Sequence, residues 1–276
     1  MINQELEKIY KRILVTYPFL GKKEKNDFEK VGRTIIEKSL SRKNLQLLLD
    51  LLKNPHAYLW VWRKSTNRNS IKKKKFTYKL YKKILILTVP SWSNKLSNLD
   101  KKLIHICTRY EKKYNGIIID VRNNKGGSSR IAHSFAGIFF KKPIIYGRFK
   151  KRRVNHLFSV IGKIAPNGKI YIDKPIAILI SNECFSSNEL FLAPFKESSR
   201  AILIGEKTRG GSGNPIQEEV KIRNKKIIVL IPTWRFFLIG SSDPIEKTKI
   251  NPDTTYKKRD ILNFAIKRLQ SGIHRR

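Results

Sequence analysis

The sequence predicts an α/β fold preceded by a small helical domain, and three features lead to this prediction. Apolar residues recur at helical spacing near the N terminus, whereas short continuous apolar runs alternate with amphipathic segments farther along the chain. The chain has 276 residues, of which 40% are hydrophobic, so it can bury a sizeable core. Global disorder is therefore excluded, and the length fits one large domain or two smaller ones.

Three helices are predicted in the first part of the chain, which we assign to an N-terminal helical domain at residues 1–63. They cover residues 2–17, residues 27–40 and a stretch that Ser41 can cap. Asn54-Pro55 ends the third helix, because the residue before a proline disfavours helical backbone angles. Residues 64–82 are polar and basic, and we expect a linker or an exposed ribbon there.

The remainder of the chain, residues 83–276, has the pattern of an α/β core with helices on both faces of a sheet. Strands are predicted at residues 84–90, 116–121, 175–181, 201–205 and 226–232. Helices are predicted at residues 98–114, 129–140, 187–197 and 259–269. Residues 141–172 interrupt the alternation with a basic segment and a Pro-Asn-Gly turn, which indicates a small inserted cap.

The charge balance is strongly basic, with 59 Lys and Arg against 21 Asp and Glu and a net charge of +38. Such an excess attracts anionic partners, but it also arises when lysine simply fills the solvated faces of a protein. The basic runs, such as Lys150–Arg153 and Arg223–Lys226, are scattered rather than gathered into one stripe with interleaved aromatic residues. A nucleic-acid or polyanion-binding protein is therefore an alternative that the pattern does not favour.

Features of secreted, membrane-spanning and disulfide-rich proteins are missing from the sequence. The N-terminal segment carries Glu5 and Glu7 and has no uninterrupted apolar stretch, so it is not a signal peptide, and no run is long enough to span a bilayer. The two cysteines, Cys107 and Cys184, have no metal-type spacing and are too few for a disulfide framework. We expect a cytoplasmic protein without a membrane span.

Two loops that follow predicted strands carry candidate catalytic groups. In DVRNNKGGSS, Gly126-Gly127 opens a helix and can turn backbone N–H groups toward an anion or a developing oxyanion, although a tight strand-to-helix turn gives the same pattern. In SNECFSSNEL, Ser186 or Ser187 stands at a helix start, where a serine is either a reactive group or an ordinary N-cap. Cys184 is a rival nucleophile or a small buried residue.

These loops, taken with their order along the chain, resemble the tail-specific (C-terminal-processing) peptidases and the tricorn core protease. The segments that carry the resemblance are DVRNNKGG, SNECFSSNE, ILIGEKTRGGSGNP and PHAY. The resemblance implies a ClpP/crotonase-like mixed-sheet core, with Ser186 as the nucleophile three residues before Glu189. It also implies an oxyanion hole to which Gly126 or Gly127 and the amide of Ser187 contribute.

The resemblance also favours one of the family's two catalytic styles. The Ser-Lys branch has a lysine where this chain has Gly211, whereas the tricorn-like branch takes its histidine from a helical N-terminal segment, which implies His56 here. That branch carries a glutamate six residues before a Pro-Asp pair, which implies Glu246. This chain departs from the pattern at Lys249, where a glycine is usual.

The function that these residues predict is a serine endopeptidase with the triad Ser186–His56–Glu246. A serine hydroxyl needs a base within hydrogen-bond reach, histidine titrates near neutral pH, and a carboxylate orients the imidazole. No metal and no cofactor are implied, and too few residues follow His56 before the core for a PDZ-type recognition of substrate tails. We expect peptides or unfolded proteins as substrates. A combination of the peptidase and polyanion-binding interpretations is also open, in which the basic cap recruits acidic peptides to the peptidase site. A non-catalytic binding member of the same fold is the other alternative.

Overall fold

The computed structural model of the chain describes residues 2–61, 75–93, 98–153, 156–168 and 170–273. Its helices are α1 (Gln4–Thr16), α2 (Lys22–Ile36), α3 (Arg42–Asp50), α4 (Leu99–Arg109), α5 (Ser129–Ala136), α6 (Ser187–Ser198), α7 (Ile245–Thr248) and α8 (Ile261–Ile273). Its strands are β1 (Tyr58–Val61), β2 (Thr77–Tyr81), β3 (Ile84–Thr88), β4 (Gly116–Asp120), β5 (Ile144–Arg153), β6 (His156–Ile164), β7 (Ile176–Ile180), β8 (Ile202–Gly205), β9 (Ile216–Ile222), β10 (Lys225–Ile231), β11 (Trp234–Leu238) and β12 (Thr254–Thr255).

The chain divides into two compact units that each contain more than one stretch of sequence. The first unit comprises Met1–Ile71, Arg148–Val160 and Gly211–Phe237. The second unit comprises Lys72–Gly147, Ile161–Gly210 and Leu238–Arg276. The helices predicted near the N terminus therefore share a unit with residues that lie far away in the sequence.

Helices α1 to α3 of the first unit confirm the three helices predicted from apolar spacing. Ser41 Oγ accepts a hydrogen bond of 3.1 Å from the Asn44 N–H, as expected of an N-cap. Helix α2 begins at Lys22, before the predicted start, because its first turn is polar and gives no periodic signal. The apolar faces of these helices contribute Leu6, Ile9 and Leu48 to a buried cluster.

The same cluster is completed by a three-stranded antiparallel sheet of order β1-β10-β9. Ile227, Val229 and Ile231 of β10 point their side chains into the cluster together with Leu59 of β1 and Val220 of β9. The sequence analysis assigned residues 226–232 to the α/β core, whereas the structure pairs this strand with β1 and β9. A continuous apolar run does not reveal which sheet it joins, because both kinds of buried strand have this appearance.

The second unit contains a mixed six-stranded sheet of order β12-β8-β7-β4-β3-β2, which confirms the predicted α/β fold. Its pairs are parallel except for the antiparallel pair of β2 and β3. Helix α8 packs Ile261, Ala265 and Leu269 against apolar residues of the central strands. The rings of Trp92, Phe135 and Phe191 form an aromatic cluster that joins α5 and α6 to the segment after β3.

The segments predicted as a cap and as a linker or exposed ribbon both contain strands. Within the predicted cap, the described residues form β5 and β6, which belong to a three-stranded sheet of order β11-β5-β6. Of the predicted linker at 64–82, residues 64–74 lie outside the described part of the chain, and β2 forms an exposed edge of the six-stranded sheet. None of the helices in the described part of the chain combines the length and the apolar character that a membrane span requires.

The parallel strands β3, β4, β7 and β8 of the second unit end at the same edge of the sheet. Ligand and catalytic groups in open α/β sheets collect at the carboxyl ends of the strands. The loop after β4 carries Gly126 and Gly127, the loop after β7 carries Ser186, and the loop after β8 carries Gly210. The topology therefore brings the candidate loops of this unit to one edge.

Candidate active site

Ser186 occupies a sharp turn between β7 and α6 and has a strained backbone. Its φ of 59° and ψ of −126° lie in a region that residues other than glycine rarely adopt. Ser186 is the N-cap of α6 and forms a capping box with Glu189, but its backbone angles differ from the extended angles of an ordinary N-cap residue. Strain of this kind costs about 1–3 kcal/mol and tends to persist at functional sites. A strained strand-to-helix turn is also the way in which many hydrolases present a nucleophilic hydroxyl.

Gly126 lies against Ser186 at a distance that only a glycine allows. A Cβ at this position would stand 2.8 Å from Ser186 Cβ and 3.0 Å from the Ser187 nitrogen, and its φ of +98° also favours glycine. The Gly126 N–H donates to Oδ1 of the fully buried Asn124 at 2.9 Å. Asn124 was not identified in the sequence analysis, although an Asn two residues before a glycine is a recognisable turn signal.

Gly127 connects the same turn to the start of α6. A Cβ on this residue would stand 2.4 Å from the carbonyl oxygen of Trp92, and its φ is +136°. The Gly127 carbonyl accepts a hydrogen bond of 2.6 Å from Ser187 Oγ. The structure therefore brings together Gly126, Gly127, Ser186 and Ser187, all of which the sequence analysis named.

Glu189 is a buried acid that links the Ser186 turn to the glycine-rich loop after β8. Its Oε2 accepts the Ser186 N–H at 3.2 Å, and its Oε1 accepts Thr208 Oγ1 at 2.6 Å and the Gly210 N–H at 3.0 Å. The side chain has no exposure to solvent. A Ser followed three residues later by Glu is a capping-box signal, so the sequence already pointed to a hydrogen bond between Glu189 and the Ser186 backbone, which was not predicted.

Glu246 lies in α7 and is half-buried, and its segment packs against the same glycine-rich loop. A Cβ on Gly210 would stand 2.8 Å from the Ile245 carbonyl oxygen and 3.1 Å from that of Glu246. The Ile250 N–H donates to Thr208 Oγ1 at 2.9 Å. Within the second unit, the loop therefore contacts both the Glu189 carboxylate and the backbone of the segment that carries Glu246.

His56 belongs to the first unit, where it lies between the end of α3 and β1. It is 5% exposed, and its backbone N–H donates to Asn54 Oδ1 at 2.9 Å. A Cβ on Gly213 would stand 2.9 Å from His56 Cβ, so a glycine is needed there for close packing. Helix α3 already ends at Asp50, so the prediction that Asn54-Pro55 ends this helix was wrong, and Asn54 instead holds the backbone of His56.

Cys184 is buried and does not have the properties of a nucleophile. Its side chain has no exposure, its Sγ donates to the Val121 carbonyl at 3.2 Å, and burial raises its pKa to about 12. A thiol with this pKa contains almost no reactive thiolate at neutral pH. The described residues also include no group of three His, Cys, Asp or Glu side chains that could hold a metal ion.

The sequence model of peptidase family S41 matches residues 83–256, which is more than half of the chain. The chain therefore belongs to peptidase family S41. The matched range covers strands β3 to β12, the glycine turn and the Ser186 loop described above.

Individual relatives agree with this family and with the fold. A CtpA-like serine protease of Staphylococcus aureus is 26% identical over 225 residues, which are 76% of this chain and 44% of that protein. This chain thus spans less than half the length of the curated relatives that it matches.

Two solved structures align over nearly the whole chain, and each alignment covers 96% of this chain and 95% of the other chain. One is a lipoprotein from Streptococcus agalactiae, with 21% identity and a TM-score of 0.68. The other is a peptidase candidate from Parabacteroides merdae, with 18% identity and a TM-score of 0.67. At these identities the likeness shows the fold.

We predict that Glu189→Gln lowers the free energy of unfolding by about 3 kcal/mol, because a buried amide cannot accept all the hydrogen bonds that the carboxylate accepts. Glu197→Gln is the matched control, since Glu197 is an exposed residue of the same helix and its change should cost less than about 0.5 kcal/mol. Denaturant unfolding of both variants measures the difference. Equal, small losses in the two variants would contradict the role assigned to Glu189.

Proposed function

We propose that this protein is a serine endopeptidase that uses the triad Ser186–His56–Glu246 to hydrolyse peptide bonds. The observation that carries the proposal is the strained, partly exposed Ser186 beside two glycines at the carboxyl edge of the sheet. Membership of peptidase family S41 supports this choice of chemistry. Peptides and unfolded proteins are the proposed substrates.

The proposed reaction proceeds through an acyl-enzyme. As Ser186 Oγ attacks the scissile carbonyl carbon, its proton passes to the imidazole of His56, which then returns it to the leaving amine. Water then attacks the acyl-enzyme with the same proton transfers through His56, which releases the acyl group and restores Ser186. The carboxylate of Glu246 would hold the imidazole in one tautomer and stabilise its charged form.

The oxyanion hole would use two backbone amides on either side of Ser186. The N–H of Gly126 already donates to Asn124, so Gly127 is the better candidate of the two glycines. The amide of Ser187 would be the second donor, and the missing side chain of Gly126 keeps the space beside it open. Losing one such donor typically lowers the rate by about 10²–10³-fold.

The short stretch of chain between Gly210 and Gly213 supports the choice of both His56 and Glu246 as members of the triad. Gly210 packs against the backbone of Glu246, and Gly213 packs against His56. Gly213 follows Gly210 by three residues, so the backbone between these two contacts spans at most about 10 Å. The loop has Gly211 where a lysine would supply the base of a Ser-Lys mechanism, which favours histidine as the base.

We predict that a fluorophosphonate probe labels wild-type protein at Ser186, because the probe reacts with a serine only when a base activates it. Ser186→Ala should abolish both labelling and peptide hydrolysis, and His56→Ala should reduce both by at least about 10³-fold. Mass spectrometry of the labelled peptide identifies the site.

Labelling that survives in Ser186→Ala would overturn the assignment. A folded wild-type protein that is never labelled would instead favour a non-catalytic binding member of the fold. Salt-sensitive binding of RNA or DNA in that same protein would favour the polyanion-binding alternative.

We predict that Gly213→Ala slows probe labelling by at least about tenfold, because the added methyl group would displace His56 and misplacing a catalytic group by about 1 Å costs up to about 10² in rate. Gly21→Ala is the matched control, since a Cβ on Gly21 meets no atom within 4 Å. Labelling kinetics of the two variants test this, with circular dichroism to verify folding. Equal labelling rates would show that His56 does not act on Ser186.

A further inference from the structure

A cavity of about 460 Å³ lies in the second unit beside the Ser186 loop. Its walls come from the loops after β7 and β8, from the residue after α7 and from the end of β12. This volume falls within the range that is typical of pockets for small ligands. It lies at the carboxyl ends of parallel strands, where α/β proteins bind their ligands.

Basic residues outnumber acidic residues in the lining of this cavity. The charged side chains are Lys207, Arg209, Lys249, Lys257, Glu183 and Glu206. Glu183 pairs with Lys125 at 2.8 Å, and Glu206 pairs with Lys257 at 3.7 Å. Among the described residues, no carboxylate lies within ion-pair distance of Lys207, Arg209 or Lys249. Arg209 also acts electrostatically on Glu183, but the lining has four cationic side chains against two carboxylates, so it carries a net positive charge.

The cavity wall is attached directly to the turn that carries Ser186. The backbone N–H of Arg209 donates to the Cys184 carbonyl at 2.9 Å, and its guanidinium lies over the Phe185 ring at 5.3 Å from the centroid. Glu183 stands three residues before Ser186 in the sequence. A ligand group in the cavity would therefore lie near any peptide that reacts at Ser186.

Lys249 has a backbone conformation that glycine adopts almost exclusively, with φ of 55° and ψ of 176°. The stem of its side chain packs on Gly210, since a Cβ there would stand 3.0 Å from Lys249 Cγ. A glycine would relieve the strain at this position but would supply no charge. Lys249 nevertheless occupies this position, and its half-buried side chain lines the cavity.

We propose that this cavity binds a carboxylate of the peptide substrate within about three residues of the bond cleaved at Ser186, with Arg209 and Lys249 as its main partners. The inference rests on the proposed peptidase function and adds a preference for acidic substrates. The carboxylate comes either from an Asp or Glu side chain or from the C terminus of the peptide. Each residue of an extended peptide advances about 3.3 Å, so three residues of substrate extend about 10 Å from the cleaved bond.

The test uses a mixture of synthetic 14-residue peptides of varied sequence, each made with a free and with an amidated C terminus, and maps cut sites by mass spectrometry. If the cavity binds a side-chain carboxylate, we expect Asp and Glu to be enriched at least about fivefold at one position within three residues of the cut in the wild type. If it binds the terminal carboxylate, amidation of the C terminus should reduce cutting at least about fivefold. The first result identifies the side-chain carboxylate and the second identifies the terminal one. In Lys249→Gln the enrichment should fall below twofold.

Two further variants separate the cavity from general charge and from folding. Lys102→Gln removes one charge from an exposed site on α4 and should keep the wild-type enrichment. If the basic protein attracted acidic peptides only through its overall charge, the enrichment would fall equally in Lys102→Gln and Lys249→Gln. Lys249→Gly should lose the enrichment and melt no lower than Lys249→Gln. Wild-type cutting without carboxylate enrichment, or enrichment that survives in Lys249→Gln, would overturn the inference.

Failure of the peptidase proposal would be recognised separately, because the wild type would then cut no more peptides than Ser186→Ala. In that case immobilised Ser186→Ala protein is incubated with the same peptide mixture, and the retained peptides are sequenced. Retention that favours carboxylates and disappears on Lys249→Gln supports the cavity as a carboxylate site. Retention without this preference overturns it.

Discussion

A carboxylate that is shielded from water organises the candidate site, because a buried charge is stable only when hydrogen-bond donors surround it. Glu189 receives its donors from the Ser186 turn and from the loop that contains Thr208 and Gly210. The same interaction thus fixes the strained backbone of Ser186 and the loop that packs against the segment of Glu246. Other hydrogen bonds also hold the turn, among them those from Ser187 Oγ to the Gly127 carbonyl and from the Phe185 N–H to the Asn124 carbonyl.

Close backbone approach is the second constraint on the site, and it explains the positions of the glycines. Gly126 allows the turn after β4 to lie against Ser186, and Gly213 allows the glycine-rich loop to lie against His56. Because a methyl group at either position would meet neighbouring atoms at less than 3 Å, these contacts depend on the absence of a side chain. Lys249 shows the opposite case, in which a side chain is present although its backbone favours glycine.

The parts of the structure that the sequence predicted are those with a local signal. Periodic apolar residues located α1 and α3, and buried runs located β4 and β7, because burial imposes these patterns directly. The pairing of β10 with β1 could not be predicted, since strand partners are fixed by contacts between distant residues. The contact between Gly213 and His56 is also non-local. A capping-box pattern marks Glu189 in the sequence, but this pattern does not predict that the side chain is buried.

The most direct test of the account is a crystal structure of the protein after reaction with diisopropyl fluorophosphate. We expect phosphorus bonded to Ser186 Oγ, a phosphoryl oxygen about 3 Å from the amides of Gly127 and Ser187, and an imidazole nitrogen of His56 about 3 Å from Ser186 Oγ. Phosphorus on a different residue, or an imidazole too distant to share a proton with Ser186, would contradict the account.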